Sequence, residues 1–242
     1  MKCLDICNEY AKLVLVALLY LSSVSRTVRF EDIIKYTRVI NREKLEEFIS
    51  KLEQCNVVTT TNNAIKINNL AELALIAIVN GADPEYVSRY ISWRDFELLI
   101  TKELRELGFE AYKSIRLKGP RALEVDILAI DVISNLCLVI DCKHWLPGYS
   151  KVKKLMLAAH KHIERVVKLN NACEWLIPRY GLIRKCKYFI PVIITLTDPR
   201  VRVLSACAII PVALLRSFIF DIHKFIEELN ILRLENRCYV SL

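Results

Sequence analysis

Residues 123–145 read LEVDILAIDVISNLCLVIDCKHW, two apolar runs separated by a turn, and each run carries acid where a buried strand should carry none. Alternate residues of a strand share a face. Leu123, Val125, Ile127 and Ala129 therefore fall on one side of the first strand, with Glu124 and Asp126 on the other. On the second strand Asp141 and Lys143 point the same way, together with Cys137 and Val139. A carboxylate inside a sheet has to be compensated by an ion pair, a hydrogen-bond network or a metal ion. The residues alone leave two readings: an Asp141–Lys143 ion pair on a solvent-facing side, or a functional site.

The rest of the chain supports a packed protein. Of 242 residues 54% are apolar and only 5 Gly and 7 Pro interrupt them, which excludes a disordered or low-complexity chain. The length suits one large domain or two small ones. A formal charge of +8 favours a polyanionic partner, nucleic acid or an acidic membrane. The 9 cysteines contain no C-x-x-C, which argues against structural zinc. Most sit in apolar surroundings, as small hydrophobes in a reducing cytoplasm do, and the scatter leaves a disulfide or two open. The run LVLVALLYL (13–21) is too short to span a bilayer and follows Asp5 and Glu9 rather than a basic segment, so it reads as a buried helix and no membrane partner is expected.

Helices are expected over 4–22, 30–36 and 41–55, the last capped by Asn41, followed by a hairpin over 57–67 that turns at Asn62-Asn63. Three helices and a hairpin resemble a winged helix-turn-helix. The third helix sets Glu43, Glu46, Glu47 and Glu53 against Arg42, Lys44 and Lys51, a face that phosphates would repel. Residues 1–83 are therefore read as a winged-helix-like domain for scaffolding, dimerisation or DNA or partner binding. An apolar helix over 69–79 precedes a break at Gly81 and Pro84. Over 84–242 the expected order is helix (about 92–107), strands (109–117, 122–131, 136–143), helix (about 150–169), strands (187–196, 201–207) and helix (212–229). This is an α/β fold, a mixed sheet flanked by helices.

Asp, a turn and an apolar strand ending in D-x-K resemble the PD-(D/E)xK nuclease superfamily, in particular its restriction-endonuclease-like and archaeal Holliday-junction-resolvase-like branches. Three segments within about 92–220 carry the likeness. RDFELLITKELRELGFEAY resembles the family's first helix, with Glu97 before Gly108-Phe109; VDILAI supplies Asp126; LVIDCKHW supplies Asp141, Cys142 and Lys143, with Asp where many relatives have Glu. No Pro precedes Asp126. Helical spacing puts Glu103, not Glu97, nearer the centre of the stripe Trp93, Phe96, Ile100, Leu104, Leu107, so Glu97 rests on the resemblance.

The resemblance implies a metal-dependent endodeoxyribonuclease with Mg²⁺ or Mn²⁺ as cofactor. Asp126, Asp141 and the Cys142 main-chain carbonyl would be its ligands, Glu97 would hold its water shell or a second ion, and Lys143 would orient or deprotonate the attacking water. The Cys142 and His144 side chains alternate to the opposite face and read as packing groups.

Beyond the strand, Lys151, Lys153, Lys154 and Lys161, in a run with Arg165 and Lys168, and then Arg184 and Lys185, are expected to neutralise phosphates without reading bases. His160 and His162, two apart, cannot share one helix face, which argues against a two-His metal site there. Trp145, Trp175 and Tyr180 read as core rather than stacking platforms. The expected function is a cytoplasmic endonuclease acting on double-stranded or branched DNA in repair, recombination or restriction, as a homodimer formed through the apolar N-terminal helices. Its rivals are a non-catalytic DNA-binding or regulatory protein that keeps the nuclease-like fold, and an interaction subunit of a larger complex.

Overall fold

The N-terminal apolar run is helical. In the computed structural model, which describes residues 10–23, 25–38, 41–117, 122–143 and 150–240, the chain divides into two compact units, Met1–Asp95 and Phe96–Leu242. In the first, α1 (Ala11–Leu21) and α4 (Leu70–Val79) are apolar nearly all round and lie against each other, as helices buried on several sides must. Glu72 is buried on α4 because Asn69 satisfies it: Nδ2 donates to the carboxylate at 2.9 Å, and Oδ1 accepts the Glu72 N–H at 3.1 Å. No helix among the described residues is long and apolar enough to cross a membrane.

Between these helices run β1 (Thr27–Arg29), α2 (Phe30–Thr37), α3 (Arg42–Gln54), β2 (Val58–Thr61) and β3 (Ala64–Ile67), with the short α5 (Pro84–Ser88) after α4. Asn41 caps α3 as its chemistry predicts, its Oδ1 accepting the Lys44 N–H at 2.9 Å. The hairpin turns on Asn62 and Asn63, at φ 42° and 67°, left-handed values that Asn tolerates. β1 joins the hairpin in the order β1-β3-β2; three residues are too few to signal a strand in sequence. The acids of α3 are partly offset within the unit, by Arg42–Glu46 at 2.7 Å, Lys51–Glu47 at 2.8 Å, and the Thr60 N–H and hydroxyl on Glu53.

The second unit is a seven-stranded mixed sheet flanked by helices. α6 (Trp93–Glu106) leads into it, followed by β4 (Glu110–Leu117), β5 (Leu123–Asp131), β6 (Leu136–Lys143), α7 (Ser150–Asn171), β7 (Tyr188–Thr195), β8 (Val203–Leu204), β9 (Cys207–Pro211), α8 (Leu215–Phe220), α9 (Ile222–Glu228) and β10 (Leu234–Glu235). The order is β4-β5-β6-β7-β9-β8, with β10 on β7. The first three strands form an antiparallel meander; β6, β7 and β9 are parallel. β6 is apolar and buried along nearly its whole length, as a central strand covered on both faces should be. Pro191 falls between the stretches of β7 that pair with β10 and with β9, so its missing N–H disturbs neither ladder.

α7 returns the chain from β6 to β7 and covers one face of the sheet. Leu155 and Ala159 pack with Ile193 and Ile209, while Val166 and Leu169 join the cluster around Leu128 and Val139. Two expectations fail near the C-terminus. The strand expected over 201–207 is instead the hairpin β8–β9, turning on Ser205 and Ala206 at φ 50° and 63°, residues that carry no turn signal. The helix expected over 212–229 is a 3-10 turn (Val212–Leu214) followed by α8 and α9, divided at Asp221.

The cysteines divide as well. Cys137, Cys142, Cys186 and Cys207 are free and buried, as small hydrophobes are, but Cys173 is bonded to Cys238 and Cys55 is also disulfide-bonded. Cys3 and Cys7 lie outside the described residues.

Candidate active site

Strand register brings the two aspartates together. β5 and β6 pair as far as Ile127 opposite Ile140, and one further step sets Asp126 across from Asp141 on neighbouring strands. Leu123 and Val125 before Asp126, and Leu128 and Ile130 after it, all belong to one core cluster. The strict alternation expected over 123–129 is thus broken at Asp126, and Ile127 and Ala129 do not share the face of Leu123 and Val125. On β4 the pairing passes from Lys113–Ile127 to Ile115–Val125 with the register unchanged, and Ser114 between them takes a left-handed φ of 57°.

The two carboxylates are compensated differently. Asp126 Oδ2 accepts the Cys142 N–H at 2.7 Å, and among the described residues Asp126 has no ion pair. Burial pushes its carboxyl up to about 6, the negative charge of Asp141 pushes the same way, and Glu97 adds to it. Asp141 is only 3% exposed, yet Lys143 Nζ lies 2.6 Å from Oδ2 and Arg165 Nη1 2.8 Å from Oδ1. The solvent-facing ion pair weighed from sequence is therefore a buried one, with a second cation from α7. One turn before Arg165, His162 is fully buried and donates Nε2–H to the Val139 carbonyl at 2.8 Å, which leaves Nδ1 to accept Arg165 Nη1 at 3.4 Å. Burial lowers this imidazole to about 4, so it is neutral, as that tautomer requires.

Next to Asp141 opens a cleft of about 280 Å³. Among the described residues Lys143, Lys154, Lys161 and Arg165 line it, with Asp141 as the acid and Leu157 and Ala158 as apolar wall. Lys154, Lys161 and Arg165 reach it from one face of α7, seven and four residues apart.

No family model matches the chain. No curated protein matches it either. Among solved structures, protein VC1899 from Vibrio cholerae is similar with a TM-score of 0.36 and 14% identity, over 90% of this chain and 53% of that one. The chain thus spans about half the length of that protein, and a likeness so distant carries no argument.

Glu97 is half-buried on α6 and lies close enough to act electrostatically on Asp126 and Cys142. Glu103, which helical spacing favoured, is instead buried against Arg216 of α8, with Nε 3.1 Å from Oε2. The Cys142 thiol is buried, and burial pushes its pKa well up, in keeping with a packing role. Lys153, Lys154 and Lys161 are exposed on α7. Arg184 and Lys185 are not gathered with them: they sit just before β7, at the Leu136–Tyr188 end of the β6–β7 pair, whereas Asp141 and Lys143 lie at the other end. The side chain of Lys151, His144 and Trp145 lie outside the described residues. Tyr180 is core, its ring 4.9 Å from that of Tyr112, but Trp175 is 65% exposed, contrary to its reading as core.

Among the described residues no group of three His, Cys, Asp or Glu side chains is gathered to hold a metal ion. The donor chemistry nonetheless fits Mg²⁺ or Mn²⁺. Such ions keep much of their water and are held by one or two carboxylates together with substrate phosphates. Asp126, half-buried beside two further carboxylates and with no ion pair among the described residues, carries charge that Lys143 offsets only in part and that a cation of this kind would relieve.

Proposed function

We propose that the second unit is a divalent-metal-dependent DNA endonuclease of the PD-(D/E)xK kind. The observation that carries this reading is the Asp126–Asp141 pair across β5 and β6, with Lys143 beside it at the edge of a basic cleft. Asp126, Asp141 and the Cys142 carbonyl would hold Mg²⁺ or Mn²⁺, with Glu97 toward its water shell, and the ion would supply Lewis-acid polarisation of the phosphodiester and a more acidic bound water. The chain's own side chains do the rest. Lys154 and Lys161 attract the backbone phosphates of the incoming strand, and Lys153 extends that basic face. Lys143 orients the attacking water and offsets negative charge as it develops on the phosphate. These contacts read phosphates and no bases, in line with a substrate recognised as double-stranded or branched DNA rather than by sequence. A cytoplasmic homodimer, one protomer per strand cut, completes the reading.

Purified protein incubated with labelled linear, branched and single-stranded DNA should cut at least one of them with Mg²⁺ or Mn²⁺ and none with EDTA. Failure to cut any substrate with either ion refutes the proposal. One observation favours a second reading, a non-catalytic DNA-binding protein on the same fold: both oxygens of Asp141 are already held by cations. That protein would bind DNA equally with and without metal and never cut it.

A further inference from the structure

We infer that Arg165 is the phosphate ligand of the cleft and that, through its bond to Asp141, it links phosphate binding to cation binding; this rests on the nuclease reading, because it presumes a cation at Asp126 and Asp141. The guanidinium spends a single nitrogen, Nη1, on Asp141 and His162. Its Nε and Nη2 make no hydrogen bond among the described residues, and the side chain, 30% exposed, lines the cleft. A planar fork with one edge held and the other unengaged suits a tetrahedral anion, whose oxygens take two parallel N–H bonds. Lys154 and Lys161 lie N-terminal to it on the same helix face, so a phosphate there meets three cations from α7 and Lys143 from β6.

The link to the cation is electrostatic. Arg165 and Lys143 lie 2.8 and 2.6 Å from the two Asp141 oxygens, so a divalent ion on either oxygen would be a close neighbour of a positive charge. A phosphate on the open edge of Arg165 offsets that charge, so each ligand strengthens the other, as reciprocal coupling requires. In the free protein Arg165 holds cation affinity down. The same chemistry could be presented by free phosphate; the run of cations along α7 commits the inference to the nucleic-acid backbone.

Two affinities test it, both without turnover: Mn²⁺ for DNA-free protein, followed by the EPR signal of free Mn²⁺, and a labelled oligo-dT in EDTA, followed by anisotropy with inorganic phosphate as competitor. Arg165→Gln should bind Mn²⁺ about tenfold more tightly and oligo-dT about tenfold more weakly, a coupling of ordinary size. Arg165→Lys, which keeps the charge on Asp141 but loses the fork, should leave Mn²⁺ affinity near wild type and still weaken oligo-dT. Lys161→Gln should weaken oligo-dT alone. If Arg165 only braces the fold, Arg165→Gln melts lower and its Mn²⁺ affinity is unchanged or worse, and the inference falls. It falls too if oligo-dT affinity is unaffected by Arg165→Gln, or if inorganic phosphate binds where oligo-dT does not. Wild-type protein that binds no Mn²⁺ with or without oligo-dT removes the nuclease reading itself, a result distinct from the others.

Discussion

At neutral pH Asp126 is a half-buried carboxylate with one hydrogen bond; Lys143 acts on it electrostatically but makes no ion pair with it among the described residues. Its folded pKa of about 6 lies above the ordinary 3.8, so the folded state holds this proton more tightly than the unfolded chain. The stabilisation from the protonated acid is complete below pH 3.8 and is lost as pH rises through 6, a difference of up to about 3 kcal/mol. His162 works the other way. With a folded pKa of about 4 against an ordinary 6.5, its contribution is complete above 6.5 and is lost as pH falls through 4. The two slopes oppose each other in the wild type. Asp126→Asn keeps an oxygen for the Cys142 N–H and removes only the rising cost, so its stability should climb steadily from about pH 4 to about pH 6.5, and the variant should melt above wild type at neutral pH. Thermal melts across that range check this, and a difference between the two proteins that does not change with pH would contradict it. Asp126, Asp141 and Lys143 were legible in the sequence because charge inside an apolar run has to be explained. Arg165 was not: it stands in a run already rich in Lys, and the carboxylate that distinguishes it lies 24 residues away.

Elements whose signal is local were legible and those made by tertiary pairing were not. Asn41 and Asn62-Asn63 mark a cap and a turn by their own chemistry. β1 exists because β3 offers it an edge, and the switch of faces along β5 falls where the facing strand takes a left-handed residue, Ser114. The same holds for α6, where Glu103 falls near the centre of the apolar stripe and is the partner of Arg216, 113 residues on. Glu103 is 2% exposed and Arg216 joins it to α8, while Glu106 takes a second, more open bond to the same guanidinium at 3.2 Å. Arg216→Ala deprives a buried carboxylate of that guanidinium and should cost about 2–3 kcal/mol in urea denaturation, whereas Glu106→Ala should cost under about 1 kcal/mol. Equal losses in the two variants would show that Glu103 does not depend on Arg216.

For the molecule as a whole, the charge of +8 says only that a polyanion is favoured, and Lys143, Lys154, Lys161 and Arg165 in the cleft give that charge an address. The Cys173–Cys238 bond was invisible in a scattered cysteine pattern, since its members are 65 residues apart. Disulfides of this sort persist in oxidising compartments or inside hyperthermophile cells, which narrows where a cytoplasmic assignment can hold. The homodimer is expected to appear as twice the chain mass in light scattering at micromolar concentration, and a monomer mass throughout that range would remove it. The central claim, that the carboxylate pair holds a catalytic cation, is best tested away from Asp141: replacing it would strand Lys143 and Arg165 and confuse catalysis with stability. Among the described residues Asp126 makes no ion pair. In a Mn²⁺-dependent cleavage assay run beside oligonucleotide binding, Asp126→Asn should bind DNA as wild type does and lose cleavage by at least about 100-fold, through a weakened cation site; cleavage at the wild-type rate would contradict the claim.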